Sequence, residues 1–207
     1  MTGSGYRAGA SADLWQSASW MAERLPPSEV KGLWFTVGRR YVLENLGQDA
    51  LDAVLAHLGP EHGEIVSTAL PSEWYPEETF GRLLVALNVV LAKENPEEFV
   101  RITEETSILG IHHFFRALLR LVPPPVMLRK IPTMWNIMRR GPGRVAVETG
   151  DHRGVVRYTR FPYFDDPLYR LLTKGAIQSL MRLCGTPAQV ELGLHTIDSL
   201  VVEVLWR

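Results

Sequence analysis

The sequence contains little cysteine, no long apolar run and no excess of charge of either sign. Its 207 residues include one cysteine, Cys184, so an intrachain disulfide is excluded. No apolar stretch reaches the ~18 residues of a membrane span, and the start of the chain lacks the apolar segment of a secretory signal. The formal net charge of −1 argues against a nucleic-acid partner, because phosphate binding needs a basic excess. We therefore expect a soluble, cytoplasmic protein.

Catalytic motifs are missing as well. The sequence has no Gly-x-Ser-x-Gly nucleophile elbow and neither the His-Glu-x-x-His nor the Cys-x-x-Cys spacing of zinc sites. Glu77-Glu78 and Asp165-Asp166 stand at predicted helix starts, where the helix dipole explains their charge. The basic pairs Arg39-Arg40 and Arg139-Arg140 are typical of solvated helix ends. These observations predict a protein that is not an enzyme and holds no structural metal.

What the sequence does contain is the composition of a folded domain. Apolar residues make up 46% and charged residues 22%, as in ordinary globular proteins. Residues 1–11 are rich in glycine, serine and alanine and predict a flexible arm. Residues 12–207 are enough for one domain with a substantial core.

The first two thirds of this domain carry helical apolar spacing. Helices are predicted over 13–25, from Leu33 to a glycine cap at Gly47, and over 49–58, 77–93, 96–122 and 126–140. Proline and glycine mark most of the breaks between them. The short apolar stretch Glu64–Leu70 is expected to be extended.

The last third changes to strand patterns. Residues 144–149 and 155–161 alternate around a Gly-rich loop and predict a hairpin. A helix over 168–184 follows, and then two strands over 189–194 and 200–206. The order predicts an α+β fold, in which a helical N-terminal two thirds packs on a small, mostly antiparallel sheet.

Aromatic side chains from several elements are expected to meet between helices and sheet, where small-molecule clefts usually form. Trp135 and Tyr158 belong to this set, and Arg160 would offer a cation to an acidic ligand group. His112 and His113 are neighbours on the predicted helix 96–122. Their side chains point about 100° apart, so they cannot share one metal from one face of a helix. One of them is expected to face the interior beside Phe115.

A resemblance adds to this interpretation. Val30-Lys31-Gly32-Leu33-Trp34-Phe35, the run Pro123–Pro125 followed by Pro132–Trp135, and the closing strand Val201–Trp206 resemble a superfamily over about residues 28–207. Its members are the haem–nitric-oxide-binding domain, the bacterial 4-vinyl reductase domain and the vesicle-tethering TRAPP subunits. Within it, the chain is most similar to a paralogous family of uncharacterised myxobacterial proteins of about this length. The resemblance implies an α/β ligand-binding fold with a helix between hairpins.

The haem-binding relatives place a histidine on the helix before a proline-rich segment, and His112 or His113 occupies that place here. They also hold the haem propionates with a Tyr-x-Ser-x-Arg motif. This chain has Tyr158-Thr159-Arg160, in which the arginine follows the tyrosine after two residues and the serine is missing. The resemblance therefore leaves haem as an open alternative and not the favoured cofactor.

Three hypotheses follow. The favoured one is a non-enzymatic sensory or ligand-binding module, which holds a small, largely apolar molecule at His112, His113, Phe115, Trp135, Tyr158 and Arg160. The second is an interaction module that forms a homodimer or binds a signalling protein without a small ligand. The third is a haem-based gas sensor with His112 or His113 as the axial ligand.

Overall fold

A computed structural model describes residues 27–115 and 122–207, and within the helix that ends at Phe115 it describes side chains as far as Gly110. The predicted arm 1–11 and the predicted helix 13–25 lie outside these residues.

Helices form most of the N-terminal part. They are α1 (Leu33–Leu46), α2 (Gln48–Thr68), α3 (Glu77–Ala86) with a π-helical turn at Leu87–Leu91, α4 (Pro96–Phe115), α5 (Pro124–Leu128) and α6 (Ile131–Met138). Gly47 separates α1 from α2 with a φ of 87°, a value that glycine adopts without strain. The side chain of Asn95 accepts hydrogen bonds from the first backbone N–H groups of α4, at Glu97 and Glu98.

The expectation of an extended stretch at Glu64–Leu70 is wrong, because α2 continues through it to Thr68. Gly59 is not helical, so α2 consists of two helical segments that meet at Gly59-Pro60, and the first of them ends where the sequence predicts. Gly59 adopts a φ of 74°, and Pro60 directly after it begins a new helical turn. Proline is tolerated there because the N–H groups of a first turn have no partner within the helix, so the N–H that proline lacks is not needed. Val66 is thereby buried on the same side of the chain as Leu58.

The C-terminal third contains the predicted hairpin, helix and hairpin. Strands β4 (Arg144–Gly150), β5 (Arg153–Thr159), β6 (Ala188–His195) and β7 (Leu200–Trp206) form an antiparallel sheet in the order β4-β5-β7-β6, with helix α7 (Pro167–Leu183) between the hairpins. Val156 and Tyr158 on β5 and Val202 on β7 turn one face of this sheet into the core. The α+β fold class is thus confirmed.

A second sheet was not predicted. Its strands β1 (Glu29–Lys31), β2 (Trp74–Pro76) and β3 (Arg139–Arg140) pair antiparallel in the order β2-β1-β3. Strands of two or three residues are too short to show alternation in a sequence. The interpretation of Arg139-Arg140 as a solvated helix end is wrong for this reason: α6 ends at Met138 and the pair forms β3.

Helix α7 joins the two layers, since it packs on α4 on one side and on β6 on the other. The Asp166 carboxylate accepts a hydrogen bond from the Leu168 N–H and caps its start. The core that it completes runs from the helices into the sheet as one cluster. Helices α1 and α6 both lie near α7 without filling the volume beside it, and a cavity remains among the three helices.

Candidate functional site

A cavity of about 560 Å³ lies between α1, α4, α6, α7 and β5. Its volume falls within the range of about 300–1,000 Å³ that small-molecule sites occupy. Helix α7 contributes one helical face, with residues at spacings of three and four: Leu172, Thr173, Ala176, Ile177 and Leu180. The opposite walls are mainly Trp34 and Val37 from α1 and Met134, Trp135, Ile137 and Met138 from α6. The interior is therefore almost entirely apolar.

Aromatic rings close the end of the cavity that faces the sheet. The ring of Trp135 lies 5.4 Å from that of Tyr158 and 5.0 Å from that of Phe161, and Phe161 lies 5.6 Å from Tyr169. Tilted and edge-to-face contacts of this kind hold aromatic side chains in fixed positions. Burial raises the pKa of the Tyr158 hydroxyl, which consequently remains a protonated hydrogen-bond donor.

One buried ion pair stands at this end of the cavity. The Nε of Arg139 lies 3.2 Å from Oε1 of Glu77, whose side chain is fully buried, while that of Arg139 is 10% exposed and lines the cavity. The Arg139 guanidinium also lies 4.7 Å from the centre of the Trp135 ring. The expectation that Glu77 serves the helix dipole is thus incomplete: it does start α3, but its carboxylate points inward to Arg139.

Two of the six predicted site residues lie in the cavity wall. Trp135 and Tyr158 line it. His112, His113 and Phe115 belong to the last turns of α4, after Gly110 in the wall, and their side chains lie outside the described part of the chain.

Arg160 is placed away from the cavity. It was expected to offer a cation to an acidic ligand group from the strand that carries Tyr158, but β5 ends at Thr159. The φ of Arg160 is 59°, a left-handed conformation that reverses the chain, and its side chain is exposed.

Arg139 is the charged residue beside the buried Glu77 in the cavity wall, and the sequence did not predict it there. A signal for it exists in the sequence: Trp135-x-Ile137-x-Arg139 has the spacing of Tyr-x-Ser-x-Arg and keeps its arginine. At the other two positions of that spacing the chain has Trp135 and Ile137, which carry no hydroxyl group. The spacing alone is a weak signal, because neither residue carries the hydroxyl group of that motif.

The buried Glu77 predicts a pH dependence of stability. Burial raises the pKa of this carboxyl above its ordinary value of 4.5, and Arg139 opposes the shift only in part. Between pH 4.5 and the raised pKa, the folded protein keeps a proton that the unfolded chain has released, so stability falls as the pH rises.

Glu77→Gln removes this titration. We expect the free energy of unfolding of the natural protein, relative to that of Glu77→Gln, to decrease above pH 4.5 by at most about 1.4 kcal/mol per pH unit. Urea unfolding of both proteins between pH 4 and 8 measures it. A difference that rises with pH would contradict the assignment.

Helices and an antiparallel sheet that enclose an apolar cavity define this chain as an α+β domain with a built interior site. The sequence matches no known protein family and no curated protein. Among solved structures, the fold is similar to that of H-NOX proteins. The unliganded Fe(II) H-NOX protein of K. algicida has a TM-score of 0.63 at 13% identity, with 86% of this chain and 96% of that chain covered.

Two further H-NOX structures show a similar degree of likeness to this fold. The S. oneidensis protein in the Fe(II)NO ligation state has a TM-score of 0.62 at 10% identity, over 86% of this chain and 99% of that one. A mutant of the T. Tengcongensis protein has a TM-score of 0.60 at 15% identity, over 86% and 97%. At these identities the comparison establishes an H-NOX-like fold.

Two further properties concern residues 27–115 and 122–207 only. No helix there has the length and apolarity to cross a membrane. Nor do three or more histidine, cysteine or acidic side chains come together there in an arrangement that could hold a metal ion.

Proposed function

We propose that this protein is a non-enzymatic sensory module that binds a small, largely apolar molecule in the cavity between its helices and its sheet. The observation that carries the proposal is the cavity itself, which has the volume of a ligand site and walls of apolar side chains. Burying an apolar molecule there is favourable because it removes apolar surface of both partners from water. The H-NOX-like fold supports the sensory part of the proposal.

Haem is the ligand that the similar structures suggest, since they include H-NOX proteins in Fe(II) states and one that was used to probe haem distortion in the H-NOX family. A haem would need donors for two propionates and an axial ligand. The described cavity wall offers two cations: Arg139, which Glu77 already holds at 3.2 Å, and Lys31 at the rim. Trp135 and Ile137 cannot provide the hydroxyl groups of the related motif. The described wall therefore has one cation without a carboxylate partner for the two propionates of haem, and a ligand with no more than one acidic group fits the cavity better.

A binding experiment with a neutral fluorescent probe, N-phenyl-1-naphthylamine, tests the proposal. We expect one probe molecule per chain, with its emission enhanced as it leaves water. Ala176→Phe places a ring in the cavity and should weaken probe binding at least tenfold, because Ala176 belongs to the wall. Ala53→Phe, on the exposed side of α2, is the matched control and should bind as the natural protein does. Equal binding by both variants, or none by the natural protein, would overturn the proposal.

Haem is tested separately by a visible absorption spectrum after reconstitution with haem. We expect no sharp Soret band. A Soret band that His112→Ala with His113→Ala abolishes would make this protein a haem-based sensor, with one of these histidines as the axial ligand.

An interaction module without a small ligand is the second candidate. Leu43 and Leu46 on α1 are 45% and 47% exposed, and such side chains are common at protein interfaces. Light scattering at micromolar concentration tests a homodimer, and a monomer would exclude it. A signalling partner, the cytoplasmic location and membership of the myxobacterial family stay predictions.

A further inference from the structure

Two cations share one aromatic ring at the edge of the cavity. The Nζ of Lys31 lies 4.0 Å, and the guanidinium carbon of Arg140 4.1 Å, from the centre of the Trp74 ring. The small sheet explains this arrangement, because Lys31 on β1 stands directly opposite Trp74 on β2, and Arg140 lies on β3 at the other side of β1. We call Lys31, Trp74 and Arg140 the basic rim.

The basic rim has no carboxylate partner among the described residues. Lys31 donates a hydrogen bond of 2.6 Å to the backbone carbonyl of Ser72, and neither Lys31 nor Arg140 has an ion pair within 4.0 Å. Glu29 stands opposite Arg140 in the sheet register, yet makes no ion pair with it. The Trp74 ring attracts each cation but carries no net charge, so it leaves their combined positive charge uncompensated. An anion at this place would compensate it.

The basic rim is continuous with the apolar cavity. Lys31 and Ser72 line the cavity, and so does Ile137, whose residue surface is 57% exposed. Leu70, next to the lining residue Pro71, is 58% exposed. A molecule in the cavity can therefore contact apolar walls inside and a cation at its outer end.

We propose that the ligand of this cavity is an amphiphile, with an apolar chain in the cavity and an anionic head at Lys31 and Arg140. This inference rests on the proposed function and specifies the chemical class of its ligand. Carboxylate and phosphate heads share the required chemistry, since both accept charge-assisted hydrogen bonds from lysine and arginine. Arg139 is not part of the proposed head site, because its charge is neutralised by Glu77 within the cavity wall.

Three twelve-carbon probes test the inference on the full chain: dodecanoate, dodecyl phosphate and the uncharged 1-dodecanol. Tryptophan fluorescence gives the affinity, and native mass spectrometry gives the stoichiometry. We expect one molecule per chain and at least about tenfold tighter binding of an anionic probe than of dodecanol, as for a hydrogen bond to a charged group. The stronger of the two anions identifies the head.

The double variant Lys31→Gln with Arg140→Gln should lose the preference for anions. Its affinity for each of the three probes should equal the affinity of the natural protein for dodecanol. A control with the same change of charge, Lys93→Gln with Arg153→Gln, alters exposed residues outside the cavity wall and should preserve the preference. Equal affinity of the natural protein for dodecanol and the anions would overturn the headgroup while leaving the apolar cavity site intact. Failure of all three probes and of the naphthylamine probe would overturn the proposed function as well.

Discussion

Replacing Glu77 by alanine is expected to lower the free energy of unfolding by about 3–5 kcal/mol, the usual cost of removing one partner of a buried ion pair. Glu77 is fully buried, and Arg139 is only 10% exposed, so water cannot replace the lost carboxylate well. The substitution also leaves a void among α3, β3 and α7, where the hydroxyl of Tyr169 donates a hydrogen bond to the backbone carbonyl of Glu77. Denaturant unfolding followed by circular dichroism measures the loss.

Two companion variants separate charge from packing. Glu77→Gln also leaves the Arg139 guanidinium without a charge partner, but it keeps the side-chain volume and a hydrogen-bond acceptor, so the difference between the two variants measures packing and hydrogen bonding. In the double variant Glu77→Leu with Arg139→Met, no charge remains without a partner, so much of the stability should return. An alanine variant within about 1 kcal/mol of the natural protein would contradict the ion pair as a structural element, because typical substitutions at exposed positions stay within that range.

Replacing Gly175 by alanine is expected to cost about 1–2 kcal/mol net. At Gly175, α7 approaches the backbone of α4 closely. An added Cβ would overlap the Thr103 hydroxyl and lie 2.9 Å from the Val100 carbonyl oxygen and 3.0 Å from the Glu104 nitrogen. Two of these three atoms belong to the backbone of α4, so the helices must separate. Overpacking of this kind costs about 1–3 kcal/mol, and the helix propensity of alanine returns at most about 1 kcal/mol.

Gly38→Ala is the matched control, since it is the same substitution in another buried helix. Its Cβ would meet only Leu83, at an ordinary 3.8 Å. We expect this variant to be about 0.5–1 kcal/mol more stable than the natural protein, because alanine restricts the unfolded chain more than glycine does. Thermal unfolding of both variants compares them directly. A Gly175→Ala protein as stable as Gly38→Ala would show that α4 and α7 can move apart without cost.

The separation of α4 and α7 also bears on the cavity, because both helices form its walls. Gly110 and Ser107 on α4 face it together with Thr173 and Ala176 on α7. A protein with Gly175→Ala that still folds should therefore show altered binding of the naphthylamine probe. Stability and binding are thus linked through one close helix contact.

The sequence alone determined the secondary structure of the C-terminal third and most helices. Alternation over seven residues in β4, β5 and β7 and the regular apolar spacing of α7 are local signals, and a strand or a helix of that length shows them without knowledge of its neighbours. The α+β class followed from the order of these elements. The convergence of Trp135 and Tyr158 was predicted on the same basis, as large aromatic side chains must be buried together.

Only the tertiary structure decided which polar residues belong to the site. Glu77 and Arg139 are 62 residues apart, and each has an ordinary local explanation as a helix-start acid or a helix-end base. Arg160 does not line the cavity, because its own backbone is left-handed directly after β5 and its side chain is exposed. The basic rim likewise depends on strands of two and three residues, which exist only through their partners in the sheet. Pairings between distant residues leave no periodicity in a sequence, so the polar chemistry of this cavity became visible only when the chain was folded.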